Sequence, residues 1–351
     1  MRWPVALIAV AALPSCRDRR DEPPPVEVPP ALVAKAVHGS FHAMGTSIEI
    51  EVWTDREIAA RGAMDDALAE IRRLESLMTT WSEGSDISRV NAAAGGAAVP
   101  VSDEVLEVLA ASRRVHDESG GVFDVTFQAL HHLWRFDHDA AAEIPPDDAI
   151  TARLPLIDGK RVELDRAAKT ARLPVKGMAI NVGGIAKGYV VDKAAAVLAR
   201  HGFGDVLVQA GGDLLARGRK GGEPWRVGIR DPRGAPGDFF AFAPVRDAAF
   251  STAGDYERAF VRAGARYHHI LDPRTGKPAT ACRSVTVLAP DAFTADQLDD
   301  AIFILGPSEG LKLLASHPGV GAVVVDKDNV VHVSEGLKGV VEIVHPPTPG
   351  I

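Results

Sequence analysis

Asp296 and Asp300 stand four residues apart in "TADQLDDAIFILG". On a helix that spacing puts both carboxylates on one face, within reach of one ion. Carboxylate oxygens are the hard ligands that Mg2+ takes, usually with phosphate and water completing its shell. The plain alternative is that acidic residues near a helix start complement the macrodipole. Upstream, "INVGGIAKGYVVDKA" from Ile180 to Ala194 places Gly183, Gly184, Lys187 and Gly188 before a helix. It is neither a Walker A loop nor the dinucleotide fingerprint. Glycines still permit close backbone approach, helix N-terminal N–H groups point outward and a lysine adds a charge, so the turn suits an anion. A tight structural turn is the competing reading. In "YHHILDPRTGKP", Tyr267 to Pro278, two histidines precede strong turn chemistry, and either ring has a structural or a reactive use. Three further stretches read as loops or turns when taken singly: "FDVTFQALHHLW" with Asp124 and Thr126, "VQAGGDLLARG" with Gly211–Gly212–Asp213, and "STAGDYER" from Ser251.

These residues need elements to hold them. "TSIEIEVW" alternates, with Ile48, Ile50 and Val52 on one strand face. Met64, Leu68, Ile71, Leu74, Leu77 and Met78 recur at helical spacing between Glu57 and Thr80. A second helix starts after Ser102 as N-cap and stops before Gly120–Gly121. The glycine turn leads into a helix bearing Val190, Ala194, Val197 and Leu198 and closed by Gly202. Strands are expected at "DVLVQ", "WRVGI", "SVTVLA", "GAVVV" and "NVVHV", and a last long helix stops at Gly306. Helices and strands mix without strict alternation, which argues for the α+β class over a doubly wound parallel sheet.

The chain has 351 residues and a formal net charge of −8. Its length is ample for a real core. The absence of a basic footprint argues against nucleic acid as a partner. Two cysteines, Cys16 and Cys282, exclude a disulfide framework. Residues 1–16, "MRWPVALIAVAALPSC", read as a lipoprotein-type signal with a lipid anchor at Cys16. Residues 17–37 contain "EPPPVEVPP" and read as a semi-rigid spacer, leaving 38–345 as the folded domain.

Together and in this order, "MGT", "SDISRVN", "FDVT…LW", "GGIAKGY", "GGD", "STAGDY", "HILDPRTG" and "TADQLDDAIFILG" resemble the ApbE-like family of FAD:protein FMN transferases. The similarity runs from Met44 to Gly306. It implies a single large α+β domain of two interleaved lobes with FAD in the cleft. The family's flavin pocket would use Met44, Trp81, Val122, Phe123, Asp124, Asn181, Lys187 and Ile270. Its Mg2+ would be held by the carbonyl of Gly184 and the side chains of Asp296 and Asp300. His269 matches the histidine implicated in transfer, and Asp296 could share that role. The acceptor would be a Thr or Ser hydroxyl in an Asp-Gly-Ala-Thr-like motif of a partner protein, on the periplasmic side of a bacterial membrane. This chain departs from the family pattern at Asn181, where Asp is usual, and at Asp300, where Thr or Ser is usual. The same residues would also serve a metal-dependent FAD pyrophosphatase or a non-catalytic FAD-binding lipoprotein. An NAD-type oxidoreductase fails for want of the glycine fingerprint and its acidic partner.

Overall fold

In the computed structural model, residues 33–130, 132–136 and 143–351 are described. The signal, Cys16 and the proline run lie outside them. Val33–Ile351 forms one compact unit. Its first strand, β1 (Lys35–Ala43), begins ahead of His38, because Val37 is buried against the core. At the other end the chain stays attached past His345. The Thr348 hydroxyl and backbone N–H both donate to Asp231, and Asn329 Nδ2 donates to the Pro347 carbonyl.

The frame is an eight-stranded sheet, antiparallel throughout. Counted along the chain, β2 (Thr46–Thr54) follows β1, and two small strands, β3 (Val99–Pro100) and β4 (Glu163–Asp165), flank β5 (Thr170–Arg172) in a separate three-stranded patch. The frame continues with β6 (Val206–Ala210) and β7 (Asp213–Arg217). After β8 (Trp225–Arg230) and β9 (Phe239–Val245) it resumes with β10 (Ala248–Gly254). Two hairpins follow, β11 (Ala259–Arg262) with β12 (Ala265–His268), and β13 (Leu271–Asp272) with β14 (Lys277–Pro278). The frame ends with β15 (Cys282–Ala289), β16 (Gly321–Asp326) and β17 (Val331–Val333), while β18 (Glu342–Ile343) adds to β9. The order in the frame is β1-β2-β6-β7-β10-β15-β16-β17.

Among the described residues, six α-helices accompany the strands: α1 (Glu57–Met78), α2 (Asp86–Ala92), α3 (Asp103–Glu118), α4 (Asp147–Arg153), α5 (Ala186–Arg200) and α6 (Ala292–Gly310). The heptad-like spacing of α1 buries Met64, Leu68, Ile71, Leu74 and Met78. Ser102 caps α3 by accepting from the Val105 N–H. α5 packs between α1 and α6, and α6 lies over β10 and β15. On the other face, Trp225, Val227, Ile229 and Phe240 of β8 and β9 pack with Phe250, Val323 and Val325. The sheet therefore separates two apolar cores, and period-2 alternation decides which one each side chain joins.

Two expectations change. "STAGDYER" opens as the central strand β10 and not as a turn, because its small residues fit between two cores: Ala249 and Ala253 face the helices and Phe250 the other side. Gly306 interrupts α6 rather than ending it. Its φ of 78° breaks the helix before Pro307, and helical structure resumes to Gly310.

Candidate active site

Several turns converge at one end of the frame. The β1–β2 turn holds Met44 and Gly45, both at positive φ (55° and 68°). For methionine this is an uncommon conformation, held here by the Met44 N–H donating to Glu75 Oε1 at 2.8 Å. The neighbouring Gly211–Gly212 turn joins β6 to β7. A side chain at Gly211 would come within 2.8 Å of the Thr46 hydroxyl, and the Gly211 N–H already donates to the Ser47 carbonyl. Gly45 also lies against the Arg258 guanidinium, and the Arg258 carbonyl accepts from the His269 N–H.

The glycine turn before α5 is fixed from three sides. Asn91 brackets it, accepting from the Ile180 N–H at 2.7 Å and donating to the Ile180 carbonyl at 2.9 Å. The Asn181 N–H donates to the Val125 carbonyl. The Asn181 side chain accepts from the Gly183 N–H at 2.7 Å and donates to Gln128 at 3.1 Å. Asn181 thus shapes the turn as a local Asx cap. Gly188 lets α5 and α6 touch: a Cβ there would sit 2.2 Å from the Ala292 carbonyl oxygen. A Cβ on Gly184 would lie 2.7 Å from Asp300 Oδ2 and 3.7 Å from the Phe123 ring.

α6 then presents its acids to this turn. Asp296 accepts from the Gly188 N–H at 2.7 Å, in the first turn of α5. Lys187 Nζ lies 2.7 Å from Asp213 and 3.5 Å from Asp296. Asp213, Asp296 and Asp299 are all buried, with ligand atoms within 4.8 Å of one another. The Ser251 hydroxyl bridges Asp213 and Asp299, the latter at 2.6 Å. A hydroxyl has one proton to donate, so the two carboxylates crowd a single donor. Burial is the main cause that pushes Asp299 well above the usual carboxylate range, followed by the neighbouring acids Asp300, Asp296 and Asp213. Burial and then Asp213 raise Asp296 to about 7, and burial raises Asp300 to about 6. Burial alone would lower the Lys187 ammonium, but Asp213, Asp296 and Asp299 outweigh it and hold Lys187 well above its ordinary value. Four acids on one lysine leave excess negative charge behind oxygen-only donors, which suits a hard dication.

The two adjacent histidines have different surroundings. His268 is satisfied within the fold: Nε2 bonds the Ala279 carbonyl at 2.8 Å and Nδ1 accepts from the Ile270 N–H. His269 Nδ1 is buried with no hydrogen-bond partner. Burial, then His268, Arg258 and Lys187, push His269 down to about 3, so its ring is neutral at neutral pH.

The structure therefore brings Met44, Phe123, Asn181, Gly184, Lys187, His269, Asp296 and Asp300 into the group of turns around the α5 N-terminus. Val122 and Ile270 are buried in the adjoining core. Asp124 is buried with both oxygens occupied: Oδ1 by Thr126, and Oδ2 by the Gly159 N–H and His116. Its carboxylate shapes the loop. Trp81 stands 83% exposed. Asp213, Ser251 and Asp299 were not assigned roles from sequence. "GGD" and "STAGDY" drew attention to the first two, but only the packing of β7 and β10 under α6 joins them to Asp299.

The sequence model of the ApbE family matches residues 44–324, and the chain belongs to that family. Over 310 residues it is 34% identical to a FAD:protein FMN transferase of Treponema pallidum (strain Nichols), covering 84% of this chain and 85% of that protein. A FAD:protein FMN transferase of Rhodobacter capsulatus is 33% identical over 83% of this chain, which spans only 55% of that longer protein. The fold superposes on the ApbE protein of Thermotoga maritima with a TM-score of 0.79 at 32% identity, covering 87% of this chain and 99% of that one.

Proposed function

We propose that the protein transfers FMN from FAD to a Thr or Ser hydroxyl of a partner protein and releases AMP. The observation that carries this reading is the convergence of a glycine turn, Lys187, an unpartnered His269 nitrogen and excess buried carboxylate at one place. The glycine turn and Lys187 hold the diphosphate of FAD. Met44, Trp81, Val122, Phe123, Asn181 and Ile270 line the flavin nucleotide, with Asp124 holding the shape of its loop. The acceptor oxygen bonds to the FMN phosphorus as the bond to the AMP phosphate breaks. His269 Nδ1 takes or orients the hydroxyl proton, and an anionic substrate favours its protonated form. The Gly184 carbonyl with Asp296 and Asp300 would hold Mg2+, which supplies positive charge at the diphosphate when bound.

The acceptor carries an Asp-Gly-Ala-Thr-like segment, and the enzyme works on the periplasmic side of a bacterial membrane, tethered through Cys16. Among the described residues no helix is long and apolar enough to cross a membrane. The test is to incubate protein, FAD and Mg2+ with an acceptor bearing that segment, then read flavin fluorescence on a denaturing gel and assay AMP. A fluorescent acceptor band with matching AMP supports transfer. AMP with free FMN and no band would point to a pyrophosphatase, and bound FAD without AMP to a carrier. Unchanged transfer by His269→Ala would remove that residue from the chemistry.

A further inference from the structure

A second cleft, of about 810 Å3, lies between α3 and α6. That volume is in the range of small-molecule sites. It is bordered by Phe293, Thr294, Gln297 and Leu298 of α6. Leu106 of α3, with Leu298 and Phe293 of α6, supplies the apolar part of its lining. Arg114 and Arg166 line the same cleft, and neither has a hydrogen-bond or ion-pair partner among the described residues.

The acids in the lining do not neutralise those two arginines, because they are engaged elsewhere. Asp103 accepts from Lys169 Nζ at 2.6 Å. Glu107 accepts from the Tyr189 hydroxyl at 2.7 Å and lies 3.8 Å from Lys193. His317, also in the lining, pairs with Glu118 at 2.9 Å. The cleft therefore offers two planar guanidinium groups without a partner among the described residues, together with apolar side chains, the Gln297 amide and the Thr294 hydroxyl. Guanidinium forks match phosphate oxygens, and a phosphate monoester brings close to the two negative charges that two arginines answer.

We propose that this cleft binds an organic phosphate with a flat apolar body, its phosphate on Arg114 and Arg166 and its body on Leu106, Phe293 and Leu298. None of its lining residues is among those assigned to the flavin or the metal, and it does not depend on the reading of the flavin site. The test is isothermal titration of 1-naphthyl phosphate into the purified protein saturated with FAD, which fills the other phosphate cradle. One binding event is expected. The double variant Arg114→Gln/Arg166→Gln should weaken it at least about tenfold, and 1-naphthol should bind at least about tenfold more weakly than its phosphate. Both arginines are exposed, so the thermal midpoint and FAD affinity of the variant should match the wild type. No binding, binding abolished by FAD, equal binding by the double variant, or equal binding of the naphthol would each overturn the proposal.

Discussion

Two buried charge clusters in this protein are built in opposite ways. Arg233 and Asp255 meet one to one, through two parallel 2.7 Å bonds with both side chains 8% exposed. Around Lys187, by contrast, Asp213, Asp296, Asp299 and Asp300 share a single ammonium, and a serine hydroxyl must bridge two of them. The first arrangement is balanced in charge, one guanidinium to one carboxylate, and it holds the β10 end against the turn after β8. The second leaves like charges confined in a poorly solvated place, which a fold tolerates where something else is to bind. Buried charge alone is thus uninformative, whereas buried charge in excess marks the site.

The comparison can be broken by changing each cluster. Arg233→Met should cost about 3–5 kcal/mol of stability, since Asp255 is left buried and alone. Urea unfolding checks this, and the folded fraction should keep its flavin transfer rate. Asp296→Asn should do the reverse. It keeps an acceptor for the Gly188 N–H and removes one of the crowded charges, so stability is kept or raised. Transfer, read as the initial rate of AMP release, should fall about 10²- to 10³-fold. A fall in stability to match the Arg233 variant would erase the distinction between the clusters. Gly188→Ala should cost about 1–3 kcal/mol, because α6 must shift to clear a Cβ that would lie 2.2 Å from the Ala292 carbonyl, and FAD affinity should fall with it.

The smallest effect is at the base of the loop that carries Phe123 and Asp124. The hydrogen bond from His116 to Asp124 raises the His116 pKa. Its stabilisation is therefore full below the unfolded value of about 6.5 and is lost as pH rises through the higher folded value. Unfolding free energy should decline across that window in the wild type and lose this component in His116→Gln. An identical pH profile in the variant would assign the trend to other groups.

Much of this was legible from sequence, and the gaps have physical causes. The helices α1, α3, α5 and α6 followed from 3.6-residue periodicity and from Ser102 and the glycine punctuation. β10 escaped because Ala, Ser, Thr and Gly give little hydropathic contrast even when both faces are buried. The pairing of Asp296 with Asp300 came from i,i+4 spacing, yet the tightest cluster is Asp296 with Asp299 and Asp213. Asp299 is equally readable as an i,i+3 neighbour, but Asp213 lies on another strand, and only three-dimensional packing makes it a member. Two adjacent histidines look alike in sequence. Their difference rests on the Ala279 carbonyl and the Ile270 N–H, which satisfy His268 and leave Nδ1 of His269 open.

The excess acid at the α5 turn suits a divalent cation, which under the proposed function would sit beside the flavin diphosphate. The most direct test is the thermal midpoint of the FAD-bound protein with Mg2+ and with chelator, for wild type and Asp296→Asn. Mg2+ should raise the wild-type midpoint, by selective binding to the native state, and leave the variant's midpoint nearly unmoved. An equal shift in both proteins, or none in the wild type, would contradict it.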